Sequence, residues 1–258
     1  MKTFEGKIAI VTGASTGLGP VMAKMMVEEG AKVVLAARRI ELVEEVAAGI
    51  GEAAVAVKAD VTVESDVAAM VDEAMKRWGQ VDVLMNNAAV PGTDKYIWEQ
   101  TVDNFLDTYK VDCMAAMLCS REVLNRSMLE RRSGAIVNFS SGAGWDGLPR
   151  KSHYSAAKGA LRILTKVIAK EAGEYGIRCN CVVPGSIDTE LLRNYHKRLA
   201  GEQNVPVEEI RKNSADRTAL KTISTPEDVA RLALFLASDA ARTITGQSMS
   251  VDAGVNMR

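Results

Sequence analysis

The most constraining feature of this chain is a regular alternation of two kinds of segment. Short, β-branched apolar runs take turns with amphipathic stretches of ten residues or more. The runs are KIAIV (7–11), KVVLAA (32–37), AAVAVKAD (53–60), VDVLMNNA (81–88), GAIVNFS (134–140), IRCNCVVPG (177–185) and QSMSVDAG (247–254). Between them lie GPVMAKMMVEEG, ELVEEVAAGIG, VESDVAAMVDEAMKRWG, a long helical region over 98–131, a helix from the Tyr154 segment to about Tyr175, and TPEDVARLALFLAS. Strands joined by helices of this length pair in parallel, because the helix returns the chain to the same end of the sheet. Continuous rather than alternating apolar strands fit a sheet covered on both faces. A doubly wound α/β fold follows, and ligands in such folds lie at the carboxyl ends of the strands.

Local signals set some boundaries. Gly30 suits the end of the first helix. Thr62 is the expected cap of the 63–79 helix, and Thr225 the cap of the last helix, with Pro226 at its first position. The 258 residues suit one dinucleotide-binding and catalytic domain over 1–258, with no repeat or linker. The segment 186–221 is more polar than its flanks, lacks a clear strand and contains Gly201 and Pro206. It is expected to be an insertion covering a site.

Composition excludes several function classes. A net charge of −1 gives no electrostatic support for binding nucleic acid. No apolar run approaches the ~18 residues of a membrane span. The start MKTFEGKIAIVTGAS has no apolar signal region, so a cytoplasmic location is expected. Cys113, Cys119, Cys179 and Cys181 contain no CxxC pair, and His153 and His196 are far apart in sequence, so no metal site is expected. Cys179 and Cys181 should face one side of the sheet as small buried hydrophobes with free thiols.

Two segments carry chemistry. TGASTGLG (12–19) directly follows the first strand and opens a helix. Its Gly13, Gly17 and Gly19 would bring bare backbone to a pyrophosphate at the helix N-terminus, with Ser15, Thr16 and Leu18 between them. At the end of the second strand, where an acidic residue would bind the 2′-OH of NAD, the chain reads LAARRIE. Arg38 and Arg39 offer guanidinium forks suited to a 2′-phosphate. NADP(H) is therefore expected, with NAD(H) as the alternative. A solvated arginine turn, partnered by Glu41, is the plainer reading.

The second segment is SSGAGWDGLPRKSHYSAAK (140–158). Tyr154 and Lys158 stand one helical turn apart. An ammonium beside a phenol favours the phenolate, which brings tyrosine toward a useful acid/base range. Ser141 can hydrogen-bond the same substrate oxygen. These three side chains supply what hydride transfer to a carbonyl needs.

In this order and spacing TGASTGLG, DVT (60–62), NNAA (86–89), VNFSS, YSAAK, PGSIDT (184–189) and TGQSMSVDAG resemble the short-chain dehydrogenase/reductases of the single-domain type, over nearly the whole chain. The resemblance implies a Rossmann-type parallel sheet of about seven strands. It implies Tyr154 as general acid/base, Lys158 as the residue binding the nicotinamide ribose, and Ser141 as the substrate anchor. Asp60 and Val61 would contact the adenine, and Asn87 with Ala88 the adenosine ribose. Pro184, Gly185, Ile187 and Thr189 would hold the nicotinamide end. A homotetramer or dimer is implied as well.

Asp112 stands where the family places a catalytic asparagine, and a buried carboxylate there needs a partner, for which Lys158 is the obvious choice. Ala89 replaces a usual glycine, Pro20 follows Gly19, and Ala253 stands in a usual double glycine. Trp145 could line the pocket beside Ser141 and Tyr154, which suits a ring-shaped apolar substrate. Trp98 is expected in the core or an interface. His153, next to Tyr154, is expected to be structural or to lie at the rim of the site.

The activity expected is an NADP(H)-dependent reductase or dehydrogenase of a ketone or secondary alcohol, with a cyclic, apolar small-molecule substrate. The alternatives are a 3-oxoacyl thioester reductase and a cofactor-sensing protein without catalysis.

Overall fold

The computed structural model describes residues 2–257. Seven parallel strands form one sheet in the order β3-β2-β1-β4-β5-β6-β7. They are β1 (Ile8–Thr12), β2 (Lys32–Ala37), β3 (Ala54–Lys58), β4 (Val83–Asn86), β5 (Gly134–Phe139), β6 (Ile177–Pro184) and β7 (Ser248–Val251). In register, Ile10 lies between Val34 and Leu84, and Asn86 pairs with Asn138. The order reverses between β1 and β4, which opens a crevice at their carboxyl ends.

The helices are α1 (Leu18–Glu28), α2 (Ile40–Ile50), α3 (Glu64–Trp78), α4 (Val102–Tyr109), α5 (Ala115–Val123), α6 (Leu129–Arg131), α7 (Ala143–Asp146), α8 (Ser152–Ala172), α9 (Glu190–Gln203), α10 (Val207–Asp216) and α11 (Pro226–Ala237). Strand side chains alternate between two buried cores, as the period of two requires. Val11, Val33, Leu35 and Met85 pack with Met22 and Met26 of α1, Val43 of α2 and Val229 and Ala233 of α11. Ile10, Val34, Leu84, Ile136 and Cys179 pack on the opposite face with Val67 and Met70 of α3, Leu118 and Val123 of α5 and Ile168 of α8.

The Thr225 cap is present, with Asp228 completing a reciprocal capping box. The Thr62 cap is not. Val63 occupies the cap of α3, because the Thr62 hydroxyl donates to Asp60 Oδ1 at 2.7 Å instead. The long helical region starts at Val102, capped by Thr101, and widens into two π-turns at Lys110–Met114 and Leu124–Met128. The 186–221 segment has no strand and folds into α9 and α10. Trp98 is not in the core: it is 77% exposed and stacked on Tyr96. All four cysteines are buried free thiols. No helix among the described residues is long and apolar enough to cross a membrane, and no cluster of metal-ligating side chains occurs among them.

Candidate active site

The glycine turn follows from space as much as from conformation. Gly13 has φ +65°, and a Cβ there would stand 2.8 Å from Ala88 Cα. A Cβ on Gly19 would stand 2.6 Å from the Gly13 carbonyl oxygen. Gly17, at φ +69°, faces open space, with only Thr189 Cγ2 within reach at 3.9 Å. Gly17 also caps α1, which has no side-chain cap and no acidic residue in its first turn. The free N–H groups of that turn thus meet an open, bare-backbone cradle, a setting suited to an anion.

The β4 exit is sewn to this turn. Thr12 Oγ1 accepts from the N–H groups of Asn87 at 3.0 Å and Ala88 at 3.1 Å. Asn87 Nδ2 donates to the Thr12 and Gly13 carbonyls at 3.0 and 3.2 Å. Across the turn, the Arg39 guanidinium donates to Ser15 Oγ at 2.9 Å and Thr16 Oγ1 at 3.1 Å. Asp60 stands at the β3 exit beside the buried Val61. Burial pushes its carboxyl up, but the Thr62 donors and the nearby Arg38 charge outweigh this and hold it below the usual range.

β5 leads through Ser140 to Ser141, whose Oγ accepts from Ala143 N at 3.2 Å as α7 begins. Tyr154 lies in the first turn of α8 and Lys158 one turn on, with Nζ 5.5 Å from the centre of the Tyr154 ring. Lys158 is buried. Its Nζ donates to the Phe139 carbonyl at 3.0 Å and lies 3.2 Å from Asp112 Oδ2. That second contact falls outside hydrogen-bond angles, so charge holds it. Burial pulls the ammonium pKa down, but the Asp112 and Tyr154 charges carry it above the usual lysine value. Asp112 sits within the first π-turn, and its Oδ1 accepts from Val90 N at 2.8 Å. Burial pushes its carboxyl up against the pull of Lys158. The lysine backbone is held as well: Ser140 Oγ donates to its carbonyl at 2.8 Å, and Gly144 leaves no room for a Cβ against it.

β6 ends at Pro184. Gly185 packs where a Cβ would stand 2.7 Å from Asp252 Cβ, and its N–H donates to Val251. Ile187 bridges to Ser224, and Thr189 caps α9. The glycine turn, Asn87, the Tyr154–Lys158 pair and the Pro184–Thr189 exit therefore all gather at the carboxyl edge of the sheet. Trp145 is bound up with α8: its ring lies 3.1 Å from the Arg162 guanidinium carbon, and Arg162 donates to the Gly144 carbonyl.

Three further groups meet here that sequence reasoning did not pick out. Val90 holds Asp112. Gly92, at φ +61°, leaves space for His153, which is fully buried between Gln100 and the Pro91 carbonyl. Asp188 forms ion pairs with Arg193 at 3.2 Å and Arg211 at 2.6 Å, tying the β6 exit to both α9 and α10. The Arg211 hydrogen bond leads the effects that hold the Asp188 carboxyl below the usual range. The spacing of Asp188 and Arg193 was visible; that of Asp188 and Arg211, 23 residues apart, carries no local signal.

The family model described as "Enoyl-(Acyl carrier protein) reductase" matches residues 13–256. The chain belongs to the short-chain dehydrogenase/reductase family. It is similar to cis-4-hydroxycyclohexanecarboxylate dehydrogenase of Sinomonas cyclohexanicum, with 36% identity over 98% of this chain and 98% of that one. It is also similar to the 3-oxoacyl-[acyl-carrier-protein] reductase of Chlamydia muridarum, with 34% identity over 96% of this chain and 97% of that one. Among solved structures it resembles levodione reductase, with a TM-score of 0.91, 29% identity and 97% of each chain covered. As a short-chain dehydrogenase/reductase it is an oxidoreductase of alcohols and ketones that uses a nicotinamide dinucleotide and acts on small molecules.

Proposed function

We propose that this short-chain dehydrogenase/reductase prefers NADP(H) and interconverts a ketone and a secondary alcohol on a cyclic, apolar substrate. The observation that carries the cofactor choice is the end of β2. No carboxylate stands there, and Arg39 is already drawn over the glycine turn by Ser15 and Thr16. A guanidinium held in this way meets a 2′-phosphate with little further ordering. Gly13, Gly17, Leu18 and Gly19 bring backbone to the pyrophosphate. Asp60 and Val61 hold the adenine, and Asn87 and Ala88 the adenosine ribose. Pro184, Gly185, Ile187 and Thr189 hold the nicotinamide end.

The cofactor supplies the hydride. Tyr154 gives the proton to the oxygen of the developing alkoxide in reduction and takes it back in oxidation. Lys158 places positive charge beside that phenol and binds the nicotinamide ribose. Ser141 donates to the substrate oxygen and orients it. Asp112 balances the lysine charge. Trp145 contributes an apolar wall beside Ser141. The chain forms one catalytic domain, with α9 and α10 as a cover over the substrate, and assembles as a homo-oligomer. The cyclic substrate class draws support from the cyclohexane-ring dehydrogenase among its relatives. The acyl-carrier-protein reductase relative favours a second reading, a 3-oxoacyl thioester reductase.

The test follows nicotinamide absorbance with cyclic ketones, linear ketones and a 3-oxoacyl thioester, each with NADPH and NADH. Cyclic ketones should turn over with NADPH, and Tyr154→Phe should abolish it. Arg39→Ala should raise the KM for NADPH about tenfold or more, since hydrogen bonds to charged groups are worth ~1.5–3 kcal/mol, and leave NADH unchanged. Faster turnover with NADH would overturn the cofactor choice; turnover of the thioester alone would favour the second reading.

A further inference from the structure

Asp112 does more than balance a charge. Its two oxygens face different elements. Oδ2 stands 3.2 Å from Lys158 Nζ on α8, and Oδ1 accepts from Val90 N in the chain leaving β4. Both acidic and basic side chains are buried, with relative exposures of 0% and 3%. The chain beyond Val90 is in turn fastened to the start of α8. His153 fills the space under Gly92, Asp94 pairs with Lys151 at 2.6 Å, and Lys95 bridges to Lys151. One carboxylate thus links the lysine beside Tyr154 to the segment that walls the same end of the sheet. The π-turn at Lys110–Met114 is the local widening that places it there; such bulges recur at functional positions.

An asparagine could not hold both contacts. Its single oxygen would serve Val90, and its amide N–H would face the ammonium, donor against donor. Only the ionised carboxylate both accepts from Val90 and attracts the ammonium. We propose that Asp112 is a positioning residue that, as a carboxylate, locks Lys158 to the Val90 segment, and that its protonation releases Lys158 and slows turnover. The inference rests on Tyr154 and Lys158 being the proton-transfer pair.

The groups facing this carboxylate and its partner are few. Tyr109 and Cys113 lie on its own helix. His153, Tyr154 and Lys158 come from α8, and Cys181 from β6. Burial pushes the Asp112 carboxyl above the ordinary carboxylate range, so it takes up a proton before exposed carboxylates do as pH falls. The His153 charge also acts on the Asp112 carboxyl, so a His153 variant serves as the control.

The experiment compares kcat against pH for the wild type, Asp112→Asn and His153→Gln. In parallel, infrared spectroscopy follows the C=O stretch of the protonated Asp112 carboxyl, assigned by its absence in Asp112→Asn. The wild type should lose activity on the acid side, above the ordinary carboxylate range, at the pH where that stretch appears. Asp112→Asn should lack this acid limb and have a plateau kcat lowered about tenfold, the size of a lost charged contact. His153→Gln should keep the limb. An Asp112→Asn profile that retains the limb, a His153→Gln profile that loses it, or a carboxyl stretch that appears at a different pH would each overturn the proposal. Should Asp112→Asn not fold, Asp112→Glu, which shifts the stretch and keeps the charge, assigns the band, and the wild-type comparison decides. The infrared reading needs no turnover. Full activity in Tyr154→Phe would therefore fail the proton-transfer reading, while the carboxyl band would judge Asp112 separately.

Discussion

Two glycines of the β1–α1 turn share a positive φ and have very different surroundings, and their alanine variants should separate strain from crowding. Gly13 and Gly17 have φ of +65° and +69°. A Cβ at Gly13 costs about 1–2 kcal/mol for the positive φ, and at Gly17, where ψ is −125°, about 1–3 kcal/mol. Gly17 pays little else, since its Cβ would point into open space. At Gly13 the Cβ would meet Ala88 Cα at 2.8 Å, Ala88 N at 3.0 Å and Asn87 Nδ2 at 3.0 Å. Two of these three atoms are backbone, held in place by the Thr12 hydroxyl, and cannot swing aside. Overpacking of this kind costs roughly a further 1–3 kcal/mol. Gly13→Ala should therefore lose about 2–5 kcal/mol and Gly17→Ala about 1–3 kcal/mol. For a chain of this size the gap corresponds to a difference in Tm of roughly 5 °C. The assay is thermal unfolding without cofactor, at one protein concentration and one scan rate, followed by circular dichroism. Titration with NADPH should show the opposite sensitivity: Gly17→Ala, whose methyl enters the open cradle, should lose affinity out of proportion to its small loss of Tm. Equal Tm values for the two variants would refute the crowding argument, because conformation alone would then account for both.

Two further outcomes follow from other parts of the molecule. Asp188→Asn weakens the ties to Arg193 and Arg211, which are partly exposed pairs worth about 0.2–1 kcal/mol each; the KM for substrate should rise roughly two- to fivefold with kcat nearly constant, and a change in kcat alone would count against α9 and α10 as a substrate cover. The buried thiols make stability depend on alkaline pH: burial pushes Cys119 up to about 12 and Cys181 up to about 11 from an ordinary 9.0, so the native state keeps its protons where the unfolded chain releases them. Stability in urea should fall as pH rises from 9 toward 12, and Cys119→Ala should fall less steeply over the same window.

Much of this architecture was legible because local and tertiary signals agree. Thr225, Pro226 and Asp228 specify the start of α11 through contacts within four residues, and the strands are short β-branched runs with helices of standard length between them. The signals failed where a residue had two uses. Thr62 has the chemistry of a cap, but Asp60 accepts both its hydroxyl and its N–H, which leaves Val63 at the helix start. The 186–221 segment looked irregular because α9 and α10 are polar helices with few buried side chains, chiefly His196, Ala200 and Ile210. The π-turns left no trace in the apolar spacing of 98–131. Trp98 shows the limit of composition alone: its size suits the core or an interface, and it lies outside the core, stacked on Tyr96.

The site residues belong to both groups for a physical reason. Gly13, Tyr154 and Lys158 stand out in sequence because each solves a local problem: a turn that admits no Cβ, and one helical turn between phenol and ammonium. Asp112 stands out only by where it falls, and its meaning depends on Lys158, 46 residues later, and Val90, 22 residues earlier. Removing one member of such a buried pair leaves an uncompensated charge, at a cost of about 3–5 kcal/mol. That cost makes a carboxylate at this position a poor accident. A neutral, well-packed pair at the same place would be as stable or more so, so stability does not account for two opposite charges beside Tyr154. What the pair does supply is a positive charge held at one distance from the phenol and joined to the wall of the pocket, which a neutral core cannot provide.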